Sequence, residues 1–203
     1  MTAVASPHER VVDDPDNGPR AVRSWVVPAC TAIVLVLYGA SALLFARDGS
    51  GTDFHRRQAA ALAEGHLDIR PVPVALAELP DPYDASANLD VRLDGVQDLA
   101  YRDGRLYSAH GLTVPLLLLP AELLFDGSPP SWAIAVLGAW VGALAGAWMV
   151  VQARRRFLPD LPDWAAGSAV LAFGLCGPVW ALVSVGNGYE AATAVAFAFT
   201  MVG

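Results

Sequence analysis

Three stretches of this chain, from about Trp25 to Ala46, from Ser131 to Val151 and from Trp164 to Gly186, contain no Asp, Glu, Lys or Arg. A helix needs ~20 consecutive apolar residues to cross the hydrocarbon core of a bilayer, and each stretch has that length. Composition points the same way. Of the residues, 55% are hydrophobic and 16% charged, a balance that belongs to membrane proteins and not to ordinary soluble domains. Trp25, Trp132 and Trp164 stand near the starts of the runs, where an amphipathic indole prefers the headgroup layer.

The formal charge of −7 argues against a nucleic-acid partner, which would want a basic face. All 13 basic residues are arginine. Cys30 and Cys176 both lie inside apolar runs, so neither a disulfide framework nor a thiolate metal site is expected. A polar tail, residues 1–24, precedes the first run. That order fits a retained anchor better than a cleavable signal peptide. A fourth run begins at Ala191 and is still apolar at Gly203, short of a span, so the chain reads as the front part of a larger membrane protein or as a truncated copy.

The run from Leu112 to Phe125 is short and carries Pro115, Pro120 and Glu122, which favours an interfacial or re-entrant segment over a span. Parity agrees. Arg20 and Arg23 precede the first span and Arg154, Arg155 and Arg156 follow the second. Both clusters reach the cytoplasm only if two spans separate them. The expected architecture is a mainly α polytopic membrane protein with three complete transmembrane helices (25–46, 131–151, 164–186) and the start of a fourth (191–203). Its N-terminus is inside. Residues 152–163 form a cytoplasmic loop, 187–190 an outer turn and 47–130 a long outer segment.

That outer segment has three parts. "GTDFHRRQAAALAEGHLDI" reads as an amphipathic helix, with Thr52 as cap, Asp53 at the positive end and Gly65 as terminator. Phe54, Ala61 and Leu62 give it a modest apolar face, suited to a membrane surface. "RPVPVALAELPDPYDASANLD" is interrupted by prolines and is expected to be extended or turning. Asp103-Gly104 is a favoured two-residue turn between short strands, which predicts a small β-hairpin.

Five groups of polar residues invite a functional reading, each beside a plainer one. Asp53 follows the first span closely; it either caps a helix or serves as a general base or metal ligand at the outer surface. Glu190, in "GNGYEAATA", returns to the same side and is either a solvated glutamate at a helix start or a second acid. The pairs Asp53/His55 and His66/Asp68 resemble metal ligands. His55 and His66 are eleven residues apart, however, ~16 Å along a helix, too far for one ion with bonds of ~2 Å. The hairpin turn makes Arg102 and Arg105 cross-strand neighbours, two like charges that would suit a phosphate or simply splay into water. His110, at the lip of the apolar run, is an interfacial polar residue or a substrate contact.

The stretches "DFHRRQAAALAEGHLDI", "DPYDASANLDVRLDGVQDLAYRDGRLYSAHGLTVPLLLLP" and "GYEAATAVAFAF" together resemble the GT-C superfamily. These are integral-membrane glycosyltransferases that use polyprenyl-phosphate sugars. The likeness is closest to a bacterial set in which a hairpin of the form Y-x-D/N-G-R/K-x-Y precedes a proline-containing apolar helix. Tyr101, Asp103, Gly104, Arg105 and Tyr107 match that pattern. The resemblance implies a multi-pass protein of the bacterial plasma membrane and a polyprenyl-phosphate sugar donor. It further implies that Asp53 is the catalytic acid of the first outer loop and Glu190 a second acid on that face. Arg102, Arg105, Tyr107 and His110 are the accompanying candidates for substrate binding. No cofactor is firmly implied; Arg56 and Arg57 add positive charge where a divalent metal would want another acid. The competing expectation is a non-enzymatic envelope assembly component, or an inactive truncated copy.

Overall fold

The computed structural model of the chain describes residues 25–45, 54–84, 86, 89–90, 99–125, 127–185 and 188–203. Asp53, Thr52, Arg20 and Arg23 fall outside the described residues. The described part is mainly helical and has two tiers. The helical tier contains α1 (Val26–Phe45), α4 (Thr113–Phe125), α5 (Ser131–Phe157), α6 (Asp163–Leu175), α7 (Val179–Val185) and α8 (Gly188–Val202). The smaller tier contains α2 (Phe54–Ala63), the single turn α3 (Val74–Ala77) and the hairpin β1 (Leu99–Arg102) and β2 (Arg105–Ser108).

Helices α1 and α5 are long and apolar enough to cross a membrane, and α6 with α7 makes a third span if the bent pair is counted as one. In α1 the buried residues Thr31, Val34, Tyr38 and Ala42 recur every three or four positions, a single stripe facing protein. Ile33, Val36, Leu43 and Leu44 point away and are exposed, which suits a lipid neighbour.

The third span departs from the expected unbroken helix 164–186. It bends by 46° between α6 and α7. Pro178 is the cause: with no N–H, it cannot satisfy the carbonyl four residues back. That carbonyl belongs to Gly174, and the Tyr38 hydroxyl donates to it instead, at 2.5 Å. Gly174 also leaves room for α1, since a Cβ there would meet Val34 at 2.6 Å. Tyr38→Phe is therefore expected to cost about 1–2 kcal/mol, the range of buried hydrogen bonds between membrane helices. Reversible denaturation in mixed micelles would measure it.

Chain direction follows from the contacts. Val26 and Cys30 lie against Gly167 and Val34 against Gly174, so α1 and α6 run parallel. Gly138 lies against Ala194 and Gly142 against Phe197, so α5 and α8 also run parallel. Arg154 pairs with Asp163 across the turn between α5 and α6. The start of α1 and the Arg154–Arg156 cluster thus share one end of the bundle, and the hairpin tier sits at the other.

The closest approach is between α5 and α8. At Gly138 a Cβ would lie 2.7 Å from the Ala194 carbonyl carbon. One and two turns further along, Gly142 and Gly146 leave space for the rings of Phe197 and Phe173, which stack on each other at 6.0 Å. Small residues four apart let backbones touch, the usual means of joining helices in lipid. Helices α4 and α8 are apolar; α4, at 13 residues, is too short to cross a bilayer, and α8 is described over 15 residues, Gly188–Val202. Helix α8 already begins at Gly188, so Glu190 sits in its first turn and not in the expected turn 187–190.

In the smaller tier the hairpin is as expected. Asp103 and Gly104 both have positive φ, 51° and 75°, the two left-handed residues of a type I′ turn. The register pairs Arg102 with Arg105 and Tyr101 with Leu106. Leu106 and Leu99 turn inward onto Phe54, Ile69 and Leu76, and the Ile69 amide donates to the Leu106 carbonyl at 2.7 Å. The segment expected to be extended or turning contains the single helical turn α3, where Pro73 leads into Val74–Ala77 and Leu76 is buried.

Helix α2 departs most from its expected environment. It does not offer one face to a membrane surface: Phe54 packs into the hairpin core, while Ala59 packs with Val114 and Leu118 of α4 and Ala191 of α8. It ends as expected at Gly65, φ 80°. The Gly65 amide donates to Leu62 at 3.0 Å and the His66 amide to Ala61 at 2.7 Å, the paired bonds of a Schellman stop.

Candidate functional site

The two tiers meet at α2. His55 is 1% exposed, and its Nε2 lies 3.0 Å from the Gly188 carbonyl. A carbonyl only accepts, so the Nε2 proton is on the histidine and points at the first residue of α8. This bond ties residues 133 apart in sequence and fixes α8 against α2.

Around it gather rings from three segments. Phe54 stacks on His110 with centroids 4.6 Å apart, and Tyr189 meets the His110 ring edge-on at 4.5 Å. His55 touches Phe54 at 4.4 Å. The backbone at His110 is held as well, its amide donating to the Ser108 hydroxyl at 3.1 Å. His110 Nε2 is buried and, among the described residues, has no hydrogen-bond partner.

Beside this cluster a cavity of about 410 Å³ opens between α4 and α8. His55, His110 and Thr113 are its polar lining residues, and Val114, Val195, Ala196 and Phe199 form its apolar wall. From Ala192 to Phe199 the wall descends α8 by seven residues, ~10 Å at ~1.5 Å each. The volume is at the lower end of ligand sites, which run ~300–1,000 Å³. Its chemistry is graded, with imidazoles at the hairpin end and hydrocarbon below.

Of the residues singled out in the sequence, His110 and His55 line this cavity. Glu190 does not; it is half-buried in the first turn of α8, with Oε2 buried and, among the described residues, without a hydrogen-bond partner. Arg102 and Arg105 are cross-strand neighbours and exposed, and Arg102 lies 3.5 Å from Asp103. An ion pair so exposed contributes little. Tyr107 is half-buried on β2 opposite Ala100. Asp53 is outside the described residues. Among the described residues no group of three or more His, Cys, Asp or Glu has an arrangement suited to a metal ion.

The segment after α2 is fastened by polar contacts. Gln58 donates to the Leu67 carbonyl at 2.8 Å and Arg57 to that of Pro71 at 3.1 Å. Arg70 bonds Asp68 at 2.8 Å, and this hydrogen bond holds the Asp68 carboxyl below the usual carboxylate range. A depressed folded-state pKa contributes stability that is complete above the unfolded value, ~3.9, and is lost as pH falls through the folded value. Thermal melts between pH 6 and pH 2.5 should therefore decline at the acid end, with a smaller decline in Asp68→Asn.

Tyr189 completes the ring cluster without any signal in the sequence. His55 stands out there only in a metal-ligand pair that spacing rejects; its contacts with His110 and Gly188 reach more than fifty residues along the chain. Comparison with known protein families, with curated proteins and with solved structures finds no match for this chain.

Proposed function

We propose that this chain works in a multi-pass membrane glycosyltransferase of the GT-C type, moving a sugar from a polyprenyl-phosphate donor to an envelope acceptor. The observation that carries the reading is the graded cavity between α4 and α8, with imidazoles at one end and an apolar wall at the other. A lipid-linked substrate has the same gradient, a polar head on a hydrocarbon tail. In this reading the hairpin end faces outward from a bacterial plasma membrane, and the end bearing Arg154–Arg156 faces the cytoplasm.

Asp53 takes the proton of an acceptor hydroxyl, and the resulting oxygen attacks the anomeric carbon. The bond from that carbon to the phosphate oxygen breaks, and polyprenyl phosphate leaves with the electron pair. Asp53 is supported by its place in the sequence next to Phe54, whose ring packs on His110. Arg102 and Arg105, adjacent across the hairpin and exposed, are suited to a phosphate at the membrane surface. Glu190 is a second acid on the same side.

The test is Asp53→Asn in the full-length protein, assayed in membrane vesicles with a radiolabelled polyprenyl-phosphate sugar. Loss of a general base should slow transfer ~10²–10⁴-fold. Undiminished transfer at normal expression would remove Asp53 from the chemistry. A second reading, a lipid-binding envelope component without turnover, is favoured by one observation: among the described residues no carboxylate lines the cavity. It predicts lipid binding by the wild type with no sugar transfer.

A further inference from the structure

We infer that His110 contacts the ligand directly, its imidazole meeting an oxygen of the head group of an amphiphile seated in the α4–α8 cavity, with His55 as the positioning residue. It rests on the reading that the cavity takes a lipid-linked molecule, and it names the side chain that meets the head.

A buried ring nitrogen without a partner is costly, because burial removes its water without a replacement. Among the described residues, His110 Nε2 is in that condition, on a residue whose ring also lines the cavity. The ring is also held. Phe54 covers one face and Tyr189 meets it edge-on, while the Ser108 hydroxyl accepts from the His110 amide. A side chain so fixed loses little rotamer freedom on binding, which is the condition for a preorganised contact. His55 acts at one remove. Its bond to the Gly188 carbonyl sets the first turn of α8, and with it Tyr189 and the wall formed by Val195, Ala196 and Phe199.

A ligand oxygen fits better than a carbon or a cation. A hydroxyl can donate to or accept from the imidazole in either tautomer, and a phosphate oxygen accepts from an Nε2 proton. The apolar wall directly below excludes a head group that is polar on all sides, so the oxygen must terminate a hydrocarbon chain.

The test uses the full chain in lipid nanodiscs and two probes, a ten-carbon alkyl alcohol and a ten-carbon alkyl phosphate, each carrying a photoreactive diazirine near its tail. Labelling of α4 or α8 by at least one probe is expected in the wild type, and Ala196→Trp should abolish it by filling the cavity. His110→Phe keeps a ring between Phe54 and Tyr189 but removes the nitrogen. It should weaken the favoured probe about three- to tenfold, the effect of one hydrogen bond, and more for a phosphate. His110→Gln, which restores a polar atom, should recover part of the loss. Undiminished labelling in His110→Phe, or no labelling of either helix in the wild type, would overturn the inference. Failure of the transfer assay with this labelling pattern intact would overturn the glycosyltransferase reading alone.

Discussion

Gly138→Val is expected to destabilise the helical tier by about 3 kcal/mol or more, at the upper end of overpacking costs. The reason is what the new carbon would meet. A Cβ at Gly138 would lie 2.7 Å from the Ala194 carbonyl carbon, 2.8 Å from its oxygen and 2.9 Å from the Val195 nitrogen. All three belong to backbone, so no rotamer change relieves the clash; α8 must move as a whole. Because α8 carries Tyr189 and the cavity wall, the variant should also lose probe labelling. Gly39→Ala is the matched control. Its Cβ would meet only the Trp140 ring, at 3.4 Å, ordinary contact, and stability should change by less than about 1 kcal/mol. Steric trapping or reversible denaturation in mixed micelles measures both. Equal losses would show that the α5–α8 contact is not the controlling feature.

Phe54→Ala should have an effect of similar size, about 3–5 kcal/mol for removal of a buried aromatic ring. Phe54 is 3% exposed and serves two groups at once. It closes the hairpin core over Ile69, Leu76, Leu99 and Leu106, and it is the surface on which His110 stacks. Its loss should therefore show in two measurements. Hydrogen exchange at the Ile69 and Leu106 amides should accelerate together, and labelling of the cavity should fall even though the apolar wall is intact. Phe54→Leu separates the two roles: it refills much of the core volume without offering His110 an aromatic face. Hairpin exchange should recover further than labelling does.

What could be read from the chain beforehand was mostly local. Asp103-Gly104 dictates its own turn, and Gly65 its own helix stop, because each conformation depends on a few neighbouring residues. The apolar runs at α1 and α5 were equally legible, since hydropathy sums over a window. The bend at Pro178 was not, although the proline is plain in the sequence. Apolarity alone does not distinguish a straight span from one whose freed carbonyl is met by Tyr38.

The spacing Gly138–Gly142–Gly146 is likewise visible, but hydropathy weighs polarity and not size. That α8 fills this seam at Gly138 and Gly142, and Phe173 of α6 at Gly146, depends on fold-level contacts. The environment of α2 is hidden from the sequence for a related reason. Ala59 and His55 look like the flank of a weakly amphipathic helix until α4 and α8 supply partners from more than fifty residues away. The candidate site divides the same way. His110 stood out because it sits at a change from polar to apolar, whereas His55 and Tyr189 acquire meaning only once Gly188 and Phe54 are neighbours.

The parallel pairing of α5 with α8 has a consequence for how the protein is made. Parallel neighbours cannot be joined by a short turn, so the glycine seam on α5 enters the membrane well before the helix that covers it. At ~5–20 residues per second, the ribosome needs roughly 3–11 seconds to pass from Gly138 to Ala194. Throughout that interval the seam is an open adhesive strip, available to any other helix with small side chains. Biogenesis of this chain should therefore be sensitive to translation speed between α5 and α8. Synonymous codons that slow this stretch should lower the yield of folded protein without altering a single residue.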